Sequence, residues 1–150
     1  KQRGLNLPRV DFGRNSRLYK DLSSAMSEGM VRSARGCYKG GLAIALAQSA
    51  FAGGYGLHID LKDVYRENID RDDKILFSES SGRFVVTVSP EKVKRFERLV
   101  SDNQISAIGH VVEDDSLMIR GVGGNYIINS RIGYLKEMWK ERFSQNAKKG

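Results

Sequence analysis

At residues 35–42 the sequence reads Arg35-Gly-Cys-Tyr-Lys-Gly-Gly-Leu42, and the apolar run Leu42-Ala-Ile-Ala-Leu-Ala-Gln-Ser-Ala-Phe51 follows directly. Apolar groups on nearly every face predict a helix over residues 41–52 that is buried on several sides. Gly40 and Gly41 lack a Cβ, so their backbone N–H groups can approach a ligand closely, and the helix dipole adds partial positive charge there. The stretch therefore predicts either an anion-binding loop, reinforced by its two cations, or a helix start that needs glycine for flexibility.

The composition fits one compact domain with a preference for anionic partners. The chain has 150 residues, of which 40% are hydrophobic, and this is enough to bury a substantial core. Its net charge of +7 favours nucleotides, phosphorylated metabolites or nucleic acid as ligands. The cations are spread along the chain among acids, whereas a duplex-binding protein usually groups its lysines and arginines on one face. Small phosphate ligands are therefore favoured over nucleic acid.

The absence of a recognisable targeting signal, together with a single cysteine, points to a reducing compartment. No apolar run approaches the roughly 18 residues that a membrane span requires, and no signal-peptide core follows Lys1-Gln-Arg-Gly. A single cysteine, Cys37, cannot form an internal disulfide and excludes a zinc site built on cysteine clusters. We expect a cytoplasmic protein with no membrane partner. The chain does not begin with Met, which leaves open that it is part of a longer protein.

Local patterns predict alternating helices and strands after a leader or linker at residues 1–15. Ser16 is a candidate N-cap of a first amphipathic helix that Gly29 ends, and Ser89 is a candidate N-cap of another. The other predicted segments are strands over residues 30–34, 57–61, 84–88, 105–112, 117–120 and 126–129, and a final amphipathic helix over residues 132–143. This order predicts an α+β fold in a single domain over residues 16–150.

A polar stretch, Ser78-Glu-Ser-Ser-Gly-Arg83, lies between two apolar segments and is typical of a turn. Arg83 could bind a phosphate or carboxylate through two hydrogen bonds, and Glu79 could orient it or hold a substrate amide or hydroxyl. Taken alone, the stretch is better explained as an ordinary loop with a Glu79–Arg83 pair at the surface. Such a pair would contribute little to stability.

Four other features favour a structural interpretation. His58 and His110 lie in strand-like segments, far apart in sequence and without ligand spacing that suits a metal. The run Asp70–Asp73 lacks the glycine and the later glutamate of a calcium loop, which favours a solvated acidic loop. Gly121–Gly124 is typical of a hairpin turn. Cys37 has no adjacent histidine to activate it. We therefore expect no metal site, and the sequence identifies no catalytic residue.

Several segments in this order resemble one family of synthase domains: residues 18–33, Gly40–Ala47, Phe51–Gly54 and Leu76–Val86. They are similar to the C-terminal domain shared by the aminoimidazole ribonucleotide synthase superfamily, which includes selenophosphate synthetase and a hydrogenase maturation protein. The Ser-Glu-Ser-x-Gly-Arg-Phe turn and the Ala-Phe-Ala-Gly-Gly helix exit resemble phosphoribosylformylglycinamidine synthase within that group.

The resemblance implies a fold and a division of labour. The fold is α+β, a three-layer α/β/α sandwich that is partly ferredoxin-like. In this ligase of purine biosynthesis, ATP activates the amide oxygen of formylglycinamide ribonucleotide, and ammonia from a glutaminase then displaces phosphate to give the amidine. ATP and magnesium are bound mainly by an N-terminal domain, and the C-terminal domain completes the substrate cleft. We expect no tightly bound cofactor in this chain, no activity from it in isolation, and leave a homodimer open.

The loop departs from the family motif. Members usually carry His-Asp-x-Ser-(Asp or Glu)-Gly-Gly-Leu, so this chain keeps both glycines and loses the His, the Ser and both acids. Two negative charges become two positive ones, a local change of about four units. The resemblance assigns phosphate or substrate binding to Gly40, Gly41, Glu79, Ser80 and Arg83. It leaves open whether Arg35 and Lys39 take part.

Two alternative functions remain. A degenerate domain of the same superfamily could hold the other domains of the enzyme together without binding a ligand, with selenophosphate synthetase and hydrogenase maturation relatives less favoured. A basic nucleic-acid-binding module is the third interpretation, although no DNA- or RNA-binding motif supports it.

Overall fold

The computed structural model describes the backbone of residues 10–147 and the side chains of residues 10–141. The helices are α1 (Phe12–Ser27), α2 (Gly41–Gly53), α3 (Asp72–Phe77), α4 (Val93–Leu99) and α5 (Ile132–Ala147). The strands are β1 (Val31–Gly36), β2 (Gly56–Asp60), β3 (Phe84–Val88), β4 (Gly109–Val112), β5 (Ser116–Arg120) and β6 (Tyr126–Arg131). Short 3₁₀ turns occupy Leu61–Asp63 and Pro90–Lys92. The predicted α+β class is confirmed.

The chain forms two compact units. The first takes in residues up to Ala45 together with Leu76–Ile105, and the second takes in Leu46–Ile75 together with the residues from Ser106 onward. The division into a leader of residues 1–15 and one domain of residues 16–150 stays a prediction, and residues 1–9 of that leader lie outside the described residues.

The first unit contains an antiparallel pair of strands, β1 and β3, in which Arg35 lies opposite Val85 and Gly36 opposite Phe84. Leu22 and Ala25 of α1 are buried, as is Met30 just before β1. Both strands are close to the sequence-predicted bounds, because β-branched residues and the Gly-rich segments that flank them mark a strand clearly.

Helix α1 begins four residues before the predicted N-cap. Asp11 is the N-cap, and its carboxylate accepts a hydrogen bond from the backbone N–H of Arg14 at 2.9 Å. The prediction of Ser16 was wrong because Asp caps as well as Ser does, while the first turn carries no apolar periodicity that would reveal it. The predicted end is confirmed, since Gly29 has a φ of +66° directly after the C-cap Glu28.

Ser89 is the N-cap of the 3₁₀ turn Pro90–Lys92, as predicted, and Pro90 follows it at the first position. Its side chain makes no capping hydrogen bond. Its hydroxyl instead accepts a hydrogen bond of 2.7 Å from the Arg32 side chain on β1, and the residue is buried. The arginine partner is a long-range contact that local capping patterns do not encode.

The second unit contains a four-stranded sheet in the order β4-β2-β5-β6. Strands β2 and β5 are parallel, and the other two pairs are antiparallel. Buried apolar side chains on the two central strands, Leu57, Ile59, Leu117 and Ile119, form the core face. The alternation in β2 was predicted, although β2 ends at Asp60 and the buried Leu61 begins a 3₁₀ turn.

Two connections of this unit were predicted with different success. The charged stretch over residues 63–75 contains the start of α3, where Asp72 and Asp73 occupy the first turn and favour a helix N-terminus. The predicted acidic loop over Asp70–Asp73 was therefore wrong at its last two residues. The hairpin turn over Gly121–Gly124 is confirmed, since the N–H of Gly121 donates to the carbonyl of Asn125 at 2.9 Å. Among the described residues, no helix is long and apolar enough to cross a membrane.

The buried face of the second sheet gives a test of the fold. Ile119 on β5 is 0% exposed, whereas Ile127 on the neighbouring β6 is 41% exposed. We expect Ile119→Ala to lower the free energy of unfolding by about 2 to 5 kcal/mol, because the substitution leaves a cavity. Ile127→Ala should cost less than about 1 kcal/mol. Urea unfolding followed by circular dichroism measures both, and equal losses would contradict this description of the core.

Candidate functional site

The loop before α2 is built on two glycines in the left-handed region. Gly40 has a φ of +75° and Gly41, the first residue of α2, has a φ of +64°. A Cβ on Gly41 would lie 2.6 Å from the carbonyl oxygen of Leu76 and 2.8 Å from that of Ser78. The helix start therefore packs directly against the backbone that leads into the polar turn, and residue 41 must be glycine for both reasons.

The polar turn of residues 78–83 also supplies a negative charge at this helix start. The backbone N–H of Gly40 donates to Oε1 of Glu79 at 2.8 Å. A carboxylate in this position is stabilised by the positive end of the helix dipole. The predicted anion-binding character of the loop thus has a counterpart within the protein itself, namely the side chain of a residue that was expected to contact a ligand.

Arg83, which is half-buried, and Cys37, which is fully buried, lie on one side of the site. The N–H of Cys37 donates to the carbonyl of Arg83 at 2.9 Å, and the Cys37 side chain is 0% exposed. Burial raises the pKa of the Cys37 thiol, although the positive charge of Arg83 opposes the shift. Burial also lowers the pKa of the Arg83 guanidinium. The thiol therefore stays protonated at neutral pH and does not act as a nucleophile. An anion that reaches Arg83 meets a poorly solvated cation, whose attraction is less screened than that of a surface charge.

Tyr38 and Gly36 of the loop pack against each other. A Cβ on Gly36 would lie 2.1 Å from Cε2 of Tyr38, so the tyrosine ring covers the position that a side chain at residue 36 would occupy. Tyr38 also lies edge-on to Phe84 at 5.9 Å, and Phe84 lies edge-on to Tyr19 of α1 at 5.6 Å. These three residues, Tyr19, Tyr38 and Phe84, are called the aromatic cluster below.

The aromatic cluster is open to solvent. Tyr38 is 50% exposed and Tyr19 is 44% exposed. Partial burial raises the pKa of the Tyr38 hydroxyl, and a hydrogen bond with Tyr19 raises this pKa further. The exposed fractions of both tyrosines leave aromatic surface accessible beside the glycine loop.

Helix α1 adds residues that the sequence did not indicate. Gly82 has a φ of +72°, and a Cβ there would lie 2.2 Å from Oδ1 of Asn15. Asn15 and Tyr19 thus bring one face of α1 against the turn and the aromatic cluster. Neither residue belongs to the apolar stripe of the helix, so no local signal could have assigned them to the site.

The structure brings some of the predicted site residues together. Gly40 contacts Glu79, and Gly41 contacts the backbone of the residues that precede Glu79. Three of the five positions that the family resemblance assigns, Gly40, Gly41 and Glu79, therefore lie together. Ser80 lies half-buried within the turn. Arg35 is half-buried near the end of β1, and Lys39 is exposed in the loop. The ligand-binding role of all these residues stays a prediction.

The acidic run over residues 70–73 has structural partners. Asp72 accepts a hydrogen bond from the N–H of Val122 at 2.8 Å, and Asp73 forms an ion pair with Arg71 at 2.7 Å. Across residues 10–141, no group of three or more His, Cys, Asp or Glu side chains is arranged to hold a metal ion.

The family can now be stated. Residues 4–122 match the profile of the AIR synthase related protein, C-terminal domain, and the chain belongs to this family. Its curated relatives include the phosphoribosylformylglycinamidine synthase subunit PurL of Methanocaldococcus jannaschii, 34% identical over 138 residues, which are 91% of this chain and 18% of the relative. The subunit PurL of Lactobacillus helveticus is 37% identical over 122 residues, which are 81% of this chain and 15% of the relative. The chain thus spans less than a fifth of the length of these relatives, and the family predicted from the sequence is confirmed.

Solved structures agree on the fold. Thermotoga maritima PurL complexed with FGAR superposes with a TM-score of 0.77 at 22% identity, over 90% of this chain and 23% of that chain. The same protein complexed with ATP gives a TM-score of 0.69 at 22% identity, over 78% and 20%. PurLQS from Thermotoga maritima gives 0.76 at 22% identity, over 86% and 22%.

The close approach at Gly41 can be tested against a matched glycine. Gly54 has a similar φ of +71°, but a Cβ there would meet nothing within 4 Å. Gly54→Ala should therefore cost about 1 to 2 kcal/mol of unfolding free energy, from backbone strain alone. Gly41→Ala should cost about 1 to 3 kcal/mol more, since its methyl group overlaps the carbonyls before the turn. Urea unfolding of both variants provides the measurement, and similar losses would show that the helix start does not depend on this contact.

Proposed function

We propose that this chain is the C-terminal domain of a phosphoribosylformylglycinamidine synthase and that it binds a phosphate-bearing ligand, either the substrate or an auxiliary nucleotide. The observation that carries the proposal is the junction of the two family segments. The loop of residues 35–41 and the turn of residues 78–83 meet at Gly41 and at the Gly40–Glu79 hydrogen bond, and so form one site.

Charge and backbone geometry support phosphate as the group that is bound. Arg35, Lys39 and Arg83 bring three positive charges to the site, against the one negative charge of Glu79. The first amides of α2 have no partner within the helix by construction, which suits an anion. Because Glu79 already accepts from Gly40, a bound phosphate would use the amides that follow, together with Arg83, or would displace the carboxylate.

The aromatic cluster favours a nucleotide among phosphate ligands. Tyr19 and Tyr38 are edge-on to Phe84 and about half exposed, so their ring faces are accessible beside the loop. A nucleobase that stacks on an aromatic side chain gains about 1 to 3 kcal/mol. A sugar phosphate without a base would lack this contribution.

The role of the chain in the reaction is to position a ligand. ATP and magnesium would supply activation of the amide oxygen, mainly at an N-terminal ATP-binding domain of the same enzyme, and ammonia would come from a glutaminase. The relatives complexed with ATP, ADP and AMPPCP, and the PurLQS assembly, support this arrangement by analogy. We further propose a cytoplasmic location and leave a homodimer as a possible assembly.

A degenerate scaffold domain is the second candidate. Gly40 and Glu79 already satisfy each other, and Tyr38 covers Gly36, so the loop could be retained for packing alone. Nucleic-acid binding is a third and weaker candidate, which rests on the net charge of +7. Ligand binding and its salt dependence separate the three.

Arg83 gives the sharpest binding test. ADP, and inorganic phosphate in a parallel titration, should bind the chain in isothermal titration calorimetry, with ADP binding more tightly. Arg83→Ala should weaken ADP binding by about tenfold or more, because a hydrogen bond to a charged group contributes about 1.5 to 3 kcal/mol. Arg71→Ala is the matched control, since this exposed arginine pairs with Asp73 in the second unit. The affinity of this variant for ADP should be unchanged.

The other outcomes of this titration assign the alternatives. Absence of saturable binding at any salt concentration, with a normally folded protein by circular dichroism, would support the scaffold and overturn the ligand site. Binding of random RNA that falls steeply with salt and is insensitive to Arg83→Ala would support the nucleic-acid module instead.

The isolated chain should not catalyse amidine formation. Residues 1–150 incubated with ATP, magnesium, ammonia and formylglycinamide ribonucleotide should release no phosphate above the rate without protein, because no segment resembles the ATP-binding domain. Phosphate release coupled to amidine formation by this chain alone would contradict the proposed division of labour.

A further inference from the structure

A row of metal-ligating side chains crosses the sheet of the second unit, on the face opposite its core. His110 of β4 lies directly opposite His58 of β2, and His58 lies beside Met118 of β5. Residues paired in this way share one face of a sheet, and side chains alternate along each strand. Since Leu57 and Ile59 are buried on the other face, the row faces away from the core, with His110 exposed and His58 and Met118 half-buried.

The two imidazole rings have a separation that suits a shared metal ion. Their centroids are 5.5 Å apart, and their planes are inclined at 65°. Two imidazoles that bind one ion through nitrogens about 2.0 to 2.1 Å away have centroids roughly 5 to 6 Å apart. The centroid separation therefore matches the one that a shared ion requires.

A hydrogen-bond chain behind His58 fixes which of its nitrogens is available. Nε2 of His58 lies 3.1 Å from Oγ of Ser116, and Ser116 donates both its hydroxyl and its backbone N–H to Oδ1 of Asp114. Because a hydroxyl has one proton to donate, Oγ must accept from His58, and Nε2 must carry the proton. In the neutral tautomer, the other nitrogen, Nδ1, has the lone pair.

This chain of contacts is the support that metal-binding histidines usually have. A ligating imidazole commonly donates its second N–H toward a carboxylate, which orients the ring and raises the basicity of the ligand. The hydrogen bonds from Ser116 lower the pKa of Asp114, so the carboxylate is ionised at neutral pH. The connection from Asp114 through Ser116 to His58 therefore supports metal binding as well as sheet structure.

We propose that His58 and His110 bind one copper(I) ion, with the thioether of Met118 as the third ligand. Thioether ligands select copper(I) among biological metals, whereas a structural zinc site needs four ligands that the described residues do not supply. The site is in the second unit and is independent of the loop and turn of the first. It involves ligand binding alone, with no change in the oxidation state of the ion.

Competition with a chromophoric chelator tests the site. The whole chain is titrated anaerobically with copper(I) in the presence of bicinchoninate, and in parallel with zinc(II). We expect one equivalent of copper(I) to bind. His110→Gln should weaken it by about tenfold or more, and the exposed position of His110 should keep the variant folded.

Three further variants complete the test. Met118→Leu should weaken copper(I) severalfold and leave zinc(II) binding unchanged, whereas the exposed Met138 of α5 provides the control Met138→Leu, which should change neither. Cys37→Ala should retain the binding, because the buried thiol is in the first unit. Loss of binding in Cys37→Ala, or full binding in His110→Gln, would overturn the site. Unchanged copper(I) affinity in Met118→Leu would overturn the third ligand and with it the selection of copper.

Discussion

Helix α2 begins at a glycine because the backbone of residues 76–78 passes close beside its first residue, Gly41. With a Cβ at residue 41 only 2.6 Å from a carbonyl oxygen, any other residue would force the two segments apart. The Gly40–Glu79 hydrogen bond then closes the contact from the other side. The turn also leads directly into β3, which pairs with β1. A helix N-terminus that makes so close a backbone contact is stabilised by packing as much as by charge.

The loop illustrates how an anion-binding element can be served by the protein itself. A glycine-rich helix start attracts negative charge whether that charge comes from a ligand or from a neighbouring carboxylate. Glu79 supplies it from within the chain, while Arg83, half-buried beside Cys37, remains close to the same turn. The positive charges of Arg35 and Lys39 therefore belong to a site whose first amide already has a partner. That is why ligand affinity, and not the presence of the glycines, distinguishes a working site from a structural remnant.

Local patterns predicted most of the elements and the family, but few of the contacts. The apolar run after Gly41 and the alternation in β2 depend on nearest neighbours in sequence, so both were found. Ser16 was assigned as a cap from a local pattern, whereas Asp11 caps the helix. Ser89 has the predicted N-cap position, but its side chain bonds to the distant Arg32. Asn15 and Tyr19 reach the turn through packing of a helix against residues far away in the chain, which no spacing encodes. His58 and His110 were interpreted as separate structural residues, and only the register of β2 and β4 shows that they are adjacent.

The overlap between residue 36 and the Tyr38 ring ties the charge of the loop to its aromatic surface. A Cβ at residue 36 would lie 2.1 Å from Cε2 of Tyr38, so any side chain there would require the ring to turn away. Tyr38 is half exposed, and solvent gives its ring room to move. The edge-on contact with Phe84 would then be lost. An acidic residue at position 36 would therefore change both the charge of the loop and the aromatic surface beside it.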